Sequence, residues 1–222
     1  IDHANAARKS MSGTEKVLEA FYSDKIASNM KKVDVIESQM QSAIVNDEFK
    51  IFLQPKWDIV NDCLVGAEAL VRWIKDDGSM IYPSDFIPLF ESNGFIEKLD
   101  FHMLEMLCKR IGEIRQENKY RLVPISVNQS RILINNPDYV KNVDKVISQF
   151  DSVVDNIEIE ITETVFFDEK NKMIEVVKQL KELGLSLAMD DFGSGYSSLN
   201  ILRDIPFDIL KIDREFVSES VA

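Results

Sequence analysis

The spacing of apolar residues changes character near residue 49. Before it, Val17, Leu18, Phe21 and Tyr22, then Val33, Ile36, Met40 and Ile44, recur at helical intervals on either side of a polar stretch from Ser28 to Lys32. This pattern predicts a two-helix connector over residues 1–45 that docks rather than forming a core. From Phe49 onward, short apolar or β-branched runs each give way to a helical pattern, as alternating β/α units do. Strands are predicted at Phe49–Gln54, Leu64–Leu70, Leu122–Val127, Ile157–Ile161, Leu185–Met189 and Ile209–Ile212. Helices are predicted at Ser84–Glu91, Leu99–Glu117, Tyr139–Phe150, Lys172–Leu183 and Ser197–Arg203, with Gly184 placed to end the fourth in a left-handed cap. The stripe Met103, Leu104, Leu107, Ile111 and Ile114 is read as packing surface. The class is α/β, either a TIM-like (β/α)8 barrel or a doubly wound sheet. No G-x-G-x-x-G follows the first strand and no Walker loop occurs, which favours the barrel.

Composition narrows the ligand. The 222 residues are 45% hydrophobic and 29% charged, the balance of a globular protein, and 26 basic against 38 acidic residues give a formal charge of −12. That charge disfavours a nucleic-acid polymer as partner, and a small anion requires local cations or a metal. Cys63 and Cys108 have no cysteine or histidine cluster around them in sequence, and both are read as buried thiols in a reducing cytosol. No apolar run approaches the roughly 18 residues that cross a bilayer. The expected setting is cytoplasmic, without membrane insertion of this segment and with attachment through an upstream region left open.

Polar groups gather where the apolar runs end: Glu68, Asn128, Glu160, Asp190 with Asp191, and Lys211 with Asp213. In a barrel of parallel strands those ends share one face, the face that carries active sites. Four carboxylates brought together there repel one another unless a cation compensates them. The donor set is all oxygen, with Asn128 supplying an amide carbonyl, and it suits Mg²⁺ or Mn²⁺ rather than structural Zn²⁺. Adjacent Asp190 and Asp191 could serve two ions, and Lys211 is expected on the rim, orienting water or neutralising charge on phosphate. Taken singly, Glu158, Glu163 and Asp213 read as solvated loop or cap residues, and Trp73 as core.

The motifs Gln54-Pro55, Glu68-Ala69-Leu70-Val71-Arg72-Trp73, Val127-Asn128-Gln129-Ser130, Glu160-Ile161-Thr162-Glu163, the Asp190–Leu199 stretch and Lys211-Ile212-Asp213 together resemble an EAL domain, in order from about Phe49 to Phe216. The resemblance implies a metal-dependent phosphodiesterase that hydrolyses cyclic di-GMP to linear pGpG. It implies that Glu68, Asn128, Glu160 and Asp190 hold one metal, that Asp191 serves a second, and that Lys211 positions the nucleophilic water. It implies further that Gln54 and Arg72 contact the cyclic dinucleotide and that Glu163 anchors the Asp-Asp-Phe-Gly loop.

Two departures appear within the match: Ser194 stands where the family usually has Thr, and Lys56-Trp57 follows Gln54-Pro55 where the family more often continues differently. The family's next strand, with a Glu-Gly-Val-Glu motif and a later Gln, is expected beyond Ala222. The domains are thus read as a connector over 1–45 and an EAL domain over 46–222 lacking its C-terminal strands. Ile1–Lys9 weakly resembles the final helix of a GGDEF domain, which implies such a domain upstream.

Three other readings compete. An EAL domain without catalysis could serve as a cyclic di-GMP receptor, but that reading is expected to lose metal ligands, and those that fall within this sequence are present. A Schiff-base enzyme using Lys211 needs a neutral amine, which surrounding acids oppose. An interaction platform, or a homodimer paired through residues 14–45, is compatible with catalysis.

Overall fold

A computed structural model describes residues 24–150, 152–166, 170–193, 205–214 and 216. The predicted helix at Ser197–Arg203, the Val17–Tyr22 pattern and Ser194 lie outside the described residues. The chain divides into two compact units, residues 1–48 and 49–222. In the first, helix α1 (Asp24–Val45) runs without a break through the polar stretch Ser28 to Lys32, where the sequence pattern predicted a separation. That stretch contains no Pro or Gly, so nothing in it halts a helix already under way.

The second unit is a sheet with helices on its outer side. Its strands are β1 (Phe49–Asp58), β2 (Cys63–Ile74), a short β3 (Met80–Ile81), β4 (Ile125–Asn128), β5 (Ile157–Thr162), β6 (Ser186–Phe192) and β7 (Ile209–Ile212). They lie in the order β1-β2-β4-β5-β6-β7, with β3 paired to β2. From β2 to β7 this order is parallel, the α/β arrangement expected of a TIM-like barrel. The first pair departs from the predicted β/α alternation, because β1 and β2 form an antiparallel hairpin. The connection is four residues long, too short for a crossover. It is held by Asp58, whose Oδ1 accepts the Val60 and Asn61 amides at 2.8 and 3.0 Å, and by the Trp57 indole donating to Asp62.

The helices are α2 (Pro83–Asn93), α3 (Ile96–Glu117), α4 (Arg131–Ile134), α5 (Tyr139–Ile147) and α6 (Lys170–Glu182). Met103, Leu104, Leu107 and Ile111 of the predicted stripe are buried, as the 3.6-residue period requires. Gly184, at φ 88°, follows α6 and its amide bonds to the Lys181 carbonyl. Beside the first hairpin, Phe49, Trp73, Phe86 and Phe90 form one aromatic cluster with centroids 4.9–6.2 Å apart, each ring fully enclosed. Each such side chain contributes roughly 2–3 kcal/mol by leaving water. The cluster fixes β1 and β2 against α2 and so sets the direction of the residues that β2 carries toward the site.

The period of two on β5 divides the fold from the chemistry. Ile157, Ile159 and Ile161 are buried toward one face, while Glu158 and Glu160 project from the other. Of the two cysteines, Cys108 is buried but Cys63 is exposed, because it begins β2 at the hairpin rather than lying under a helix.

Candidate functional site

Strand register brings the predicted polar residues together. Asn128 stands opposite Glu160, Gln54 opposite Glu68, and Thr162 opposite Asp190, so register sets these groups on neighbouring strands. Asn128, Glu160 and Asp190 lie toward the C-terminal ends of parallel strands, Glu68 in mid-β2 and Gln54 on antiparallel β1. Glu68, Glu160 and Asp190 each offer an oxygen such that all three lie within 4.8 Å of one another. The Asn128 amide donates to Glu68 Oε1 at 2.9 Å, which turns its own carbonyl oxygen away from that bond.

Lys211 reaches into this cluster instead of standing on its rim. Its ammonium donates to Glu160 Oε2 at 2.8 Å, Asp190 Oδ2 at 3.0 Å and Glu68 Oε2 at 3.1 Å. Converging carboxylates need positive charge, and the long flexible stem of a lysine delivers it. Burial pulls the Lys211 pKa down, but the bonds to Glu160, Asp190 and Glu68 prevail and raise it. The amine is therefore held charged, and the Schiff-base reading fails on that ground. Burial likewise pushes the Glu160 carboxyl upward, and hydrogen bonds from Lys211, Ser126 and Lys56 outweigh it, leaving the group below the usual carboxylate range.

Asp191 lies beside this cluster and is exposed. Its φ is 54°, and the β6–β7 register slips between Met189 and Phe192, so the pair Asp190-Asp191 sits on an irregular strand end. Partial burial, then Asp190 and Asp213, raise its pKa. Glu163 is buried at 1% exposure and its Oε2 accepts the Gly193 amide at 3.0 Å, tying the end of β5 to the residues that follow Asp191.

A cavity of about 550 Å³ opens beside the cluster, lined by Arg72 and Leu70 of β2, Asn128 of β4, Asp100 of α3 and Pro83 and Ile87 of α2. Arg72 is half-buried, donates to the Val71 carbonyl and lies 5.9 Å from the Phe52 ring centre. Gln54 is exposed on the antiparallel strand. Asp100 is 8% exposed, and burial pushes its carboxyl up to about 7 against the opposing bond from the Ser130 amide.

An EAL domain model matches residues 37–222. The chain belongs to the EAL domain family. It is 32% identical over 189 residues to the probable cyclic di-GMP phosphodiesterase PdeB of Escherichia coli, covering 85% of this chain and 36% of that protein. It is also 32% identical over 184 residues to the cyclic di-GMP phosphodiesterase NbdA of Pseudomonas aeruginosa, covering 83% and 23%. The chain thus spans roughly a quarter to a third of these relatives' lengths. Among solved structures, the PaMucR phosphodiesterase in complex with c-di-GMP superposes with a TM-score of 0.76 at 27% identity, covering 84% of this chain and 75% of that one. The EAL enzyme Bd1971 in its cAMP- and cyclic-di-GMP-bound form gives 0.75 at 28%, covering 96% and 55%.

The EAL domain also places in the site residues that the motif reading passed over. Glu158, read singly as a solvated loop residue, is 3% exposed, and with Glu160 it is bridged by the Lys56 ammonium at 2.7 and 2.9 Å. Their signal lay in the period of two: Lys56 is two residues beyond Gln54, and Glu158 two before Glu160, so each shares a face with a recognised residue. Glu163 was likewise expected to be solvated when taken singly and is enclosed instead. Asp100 carried no such mark, since it stands within a helix otherwise read as packing. Gln129, beside Asn128 in its motif, is buried and accepts from the Tyr139 hydroxyl at 3.3 Å while donating to the Asn128 carbonyl.

Proposed function

We propose that this EAL domain is a phosphodiesterase that opens cyclic di-GMP to linear pGpG with the help of Mg²⁺ or Mn²⁺. The convergence of Glu68, Asn128, Glu160, Asp190 and Lys211 at the strand ends carries the reading. The phosphodiesterase names and cyclic di-GMP-bound structures among its relatives support it.

The donor chemistry fits a hard divalent cation: three carboxylates within reach of one another and an amide oxygen, with no sulfur or imidazole. In this reading Glu68, Asn128, Glu160 and Asp190 hold one ion and Asp191 helps hold a second. An ion held by these residues would supply Lewis acidity toward a phosphate oxygen and toward a water. Lys211 remains charged, donates to the attacking water and counters charge developing on the phosphoryl oxygens. Water oxygen joins phosphorus while one bridging P–O ester bond breaks, so the ring opens once.

Arg72 offers its guanidinium fork to the phosphates at the mouth of the cavity, and Gln54 adds a polar contact from β1. The cavity suits a purine between the apolar walls of Leu70, Ile87 and Pro83. Asp100, which lines that cavity together with Glu91, is suited to the N1–H and N2–H₂ donors of guanine. Glu163, through the Gly193 amide, steadies the segment that bears Asp190 and Asp191.

The test is incubation with cyclic di-GMP and Mg²⁺ or Mn²⁺, beside a Glu68→Ala control, with pGpG followed by chromatography. Metal-dependent product that disappears in the control supports the phosphodiesterase. Tight binding without product makes the domain a receptor, and neither binding nor product sinks the reading.

A further inference from the structure

Lys56 follows the Gln54-Pro55 motif on β1, and the fold gives it a specific place. It projects from β1 on the same face as Gln54, opposite Gly66 of β2. A Cβ at Gly66 would stand 3.0 Å from the Pro124 carbonyl and 3.5 Å from Lys56 Cδ, so the missing side chain leaves room for the lysine stem. The ammonium then reaches across the inner face to β5, where it donates to Glu158 Oε1 at 2.7 Å and Glu160 Oε1 at 2.9 Å. Both acids are almost wholly enclosed, with side chains 4% and 0% exposed.

The two oxygens of Glu160 are therefore divided. Oε1 belongs to Lys56, and Oε2 turns toward Glu68 and Asp190, where Lys211 now meets it at 2.8 Å. Mg²⁺ demands a small octahedral shell with each carboxylate giving one oxygen, whereas the larger Ca²⁺ accepts both oxygens of a carboxylate and more ligands. We propose that Lys56 sets the cation preference of the cluster: by occupying Glu160 Oε1 it restricts that carboxylate to one oxygen, favouring Mg²⁺ and withholding from Ca²⁺ a two-oxygen grip. The proposal rests on the metal-site reading above and adds a positioning residue to it. Simple charge is a separate matter, because removing an ammonium strengthens the attraction for both divalent ions together and leaves their ratio unmoved.

The experiment titrates the purified protein with Mg²⁺ and with Ca²⁺ by calorimetry, in the unaltered form, in Lys56→Met, and in Lys56→Met combined with Glu158→Leu. The double variant removes one charge of each sign, so it keeps the net charge and relieves the acid that the single variant strands. Thermal melting by circular dichroism identifies which variants are folded, and the double variant decides if the single one is not. The ratio of Ca²⁺ to Mg²⁺ affinity should rise about tenfold in the variants, the scale on which partners of metal ligands act. An unmoved ratio in a folded double variant overturns the role of Lys56 while leaving the metal site intact. Failure of the unaltered protein to bind either ion overturns the metal reading and this inference with it.

Discussion

Two buried carboxylates stand at neighbouring places in the fold and are pushed in opposite directions. Glu160, 1% exposed in the strand-end cluster, meets two ammonium groups and lies below the usual carboxylate range. Asp100, 8% exposed on the cavity wall, meets no ammonium among the described residues; burial, with Glu91 and Glu97 adding to it, prevails over the hydrogen bonds from the Ser130 side chain and amide, and it rises to about 7. Enclosure alone therefore does not decide the charge of a carboxylate; what decides it is whether cations are enclosed with it. Glu160 is held ionised by the two ammonium groups enclosed with it. The cavity holds a carboxyl that takes or loses its proton near neutrality and that a hydrogen-bond-donating ligand would draw into the ionised form.

The largest effect should come from making the cluster resemble the cavity. Glu160→Gln removes the charge that both Lys56 and Lys211 face, and turnover of cyclic di-GMP should fall more than about 1000-fold, since a metal site contributes several kcal/mol to such a transition state. The amide oxygen replaces only one of the two carboxylate oxygens that Lys56 and Lys211 divide, so its NH₂ faces the other ammonium and the melt is needed to show that the fold survives. A rate assay beside a thermal melt checks this, and turnover within tenfold of the unaltered protein would break the contrast.

Arg72→Met tests where the cavity begins to serve the chemistry. A charged hydrogen bond to phosphate is worth roughly 1.5–3 kcal/mol, so KM should rise about 10- to 100-fold with a smaller change in kcat. An equal loss in kcat would move Arg72 from substrate binding into the transition state.

Asp100 sharpens the comparison through pH. The folded chain keeps the Asp100 proton up to about pH 7, whereas an ordinary aspartate loses it near 3.8. Between those values the folded state binds more protons than the unfolded one, so this group's contribution to stability falls as pH rises and levels off above pH 7. Asp100→Asn removes that penalty. The variant should match the unaltered protein near pH 4 and exceed it by up to about 3 kcal/mol at pH 8, as read by urea unfolding. The same carboxyl must ionise to receive guanine donors, so KM should fall between pH 6 and 8 in the unaltered protein and stay level in Asp100→Asn.

These two regions were not equally legible in the sequence. Asn128 and Asp190 follow the ends of apolar runs and Glu68, Glu160 and Lys211 stand near the ends of theirs, and parallel strands bring such ends together whatever the details of packing. Glu158 lies near the start of its predicted strand and Lys56 past the end of its own, and such charges are interpretable only once their cross-sheet partners are known. Asp100 depended on a tertiary meeting of α3 with the loop after β4, which no local period encodes. The first hairpin escaped the reading because two strands joined by four residues look, one at a time, like any other strands. Lys211 was placed on the rim because a sequence gives the position of a backbone and not the reach of a side chain.

The smallest expected effect concerns the link between β5 and the Asp190-Asp191 segment. Glu163 Oε2 accepts the amide of Gly193, whose φ of 98° favours glycine and whose hypothetical Cβ would come within 2.6 Å of the Phe216 ring. Besides the Asp213 amide on the Phe192 carbonyl and the Lys211 bond to Asp190, the segment is held by this carboxylate bond and by a close approach of backbone to aromatic ring. Glu163→Ala removes the acceptor and leaves a half-buried amide without that bond, a change worth about 1 kcal/mol. If the bond's role is to aim Asp190 and Asp191, turnover should fall about tenfold, and raised metal concentration should recover part of it. Glu163→Gln keeps an acceptor oxygen at nearly the same place and should retain more than half of the activity. Equal loss in both variants would mean that the charge of Glu163 matters, and the anchor would then belong electrostatically to the cluster rather than geometrically to its frame.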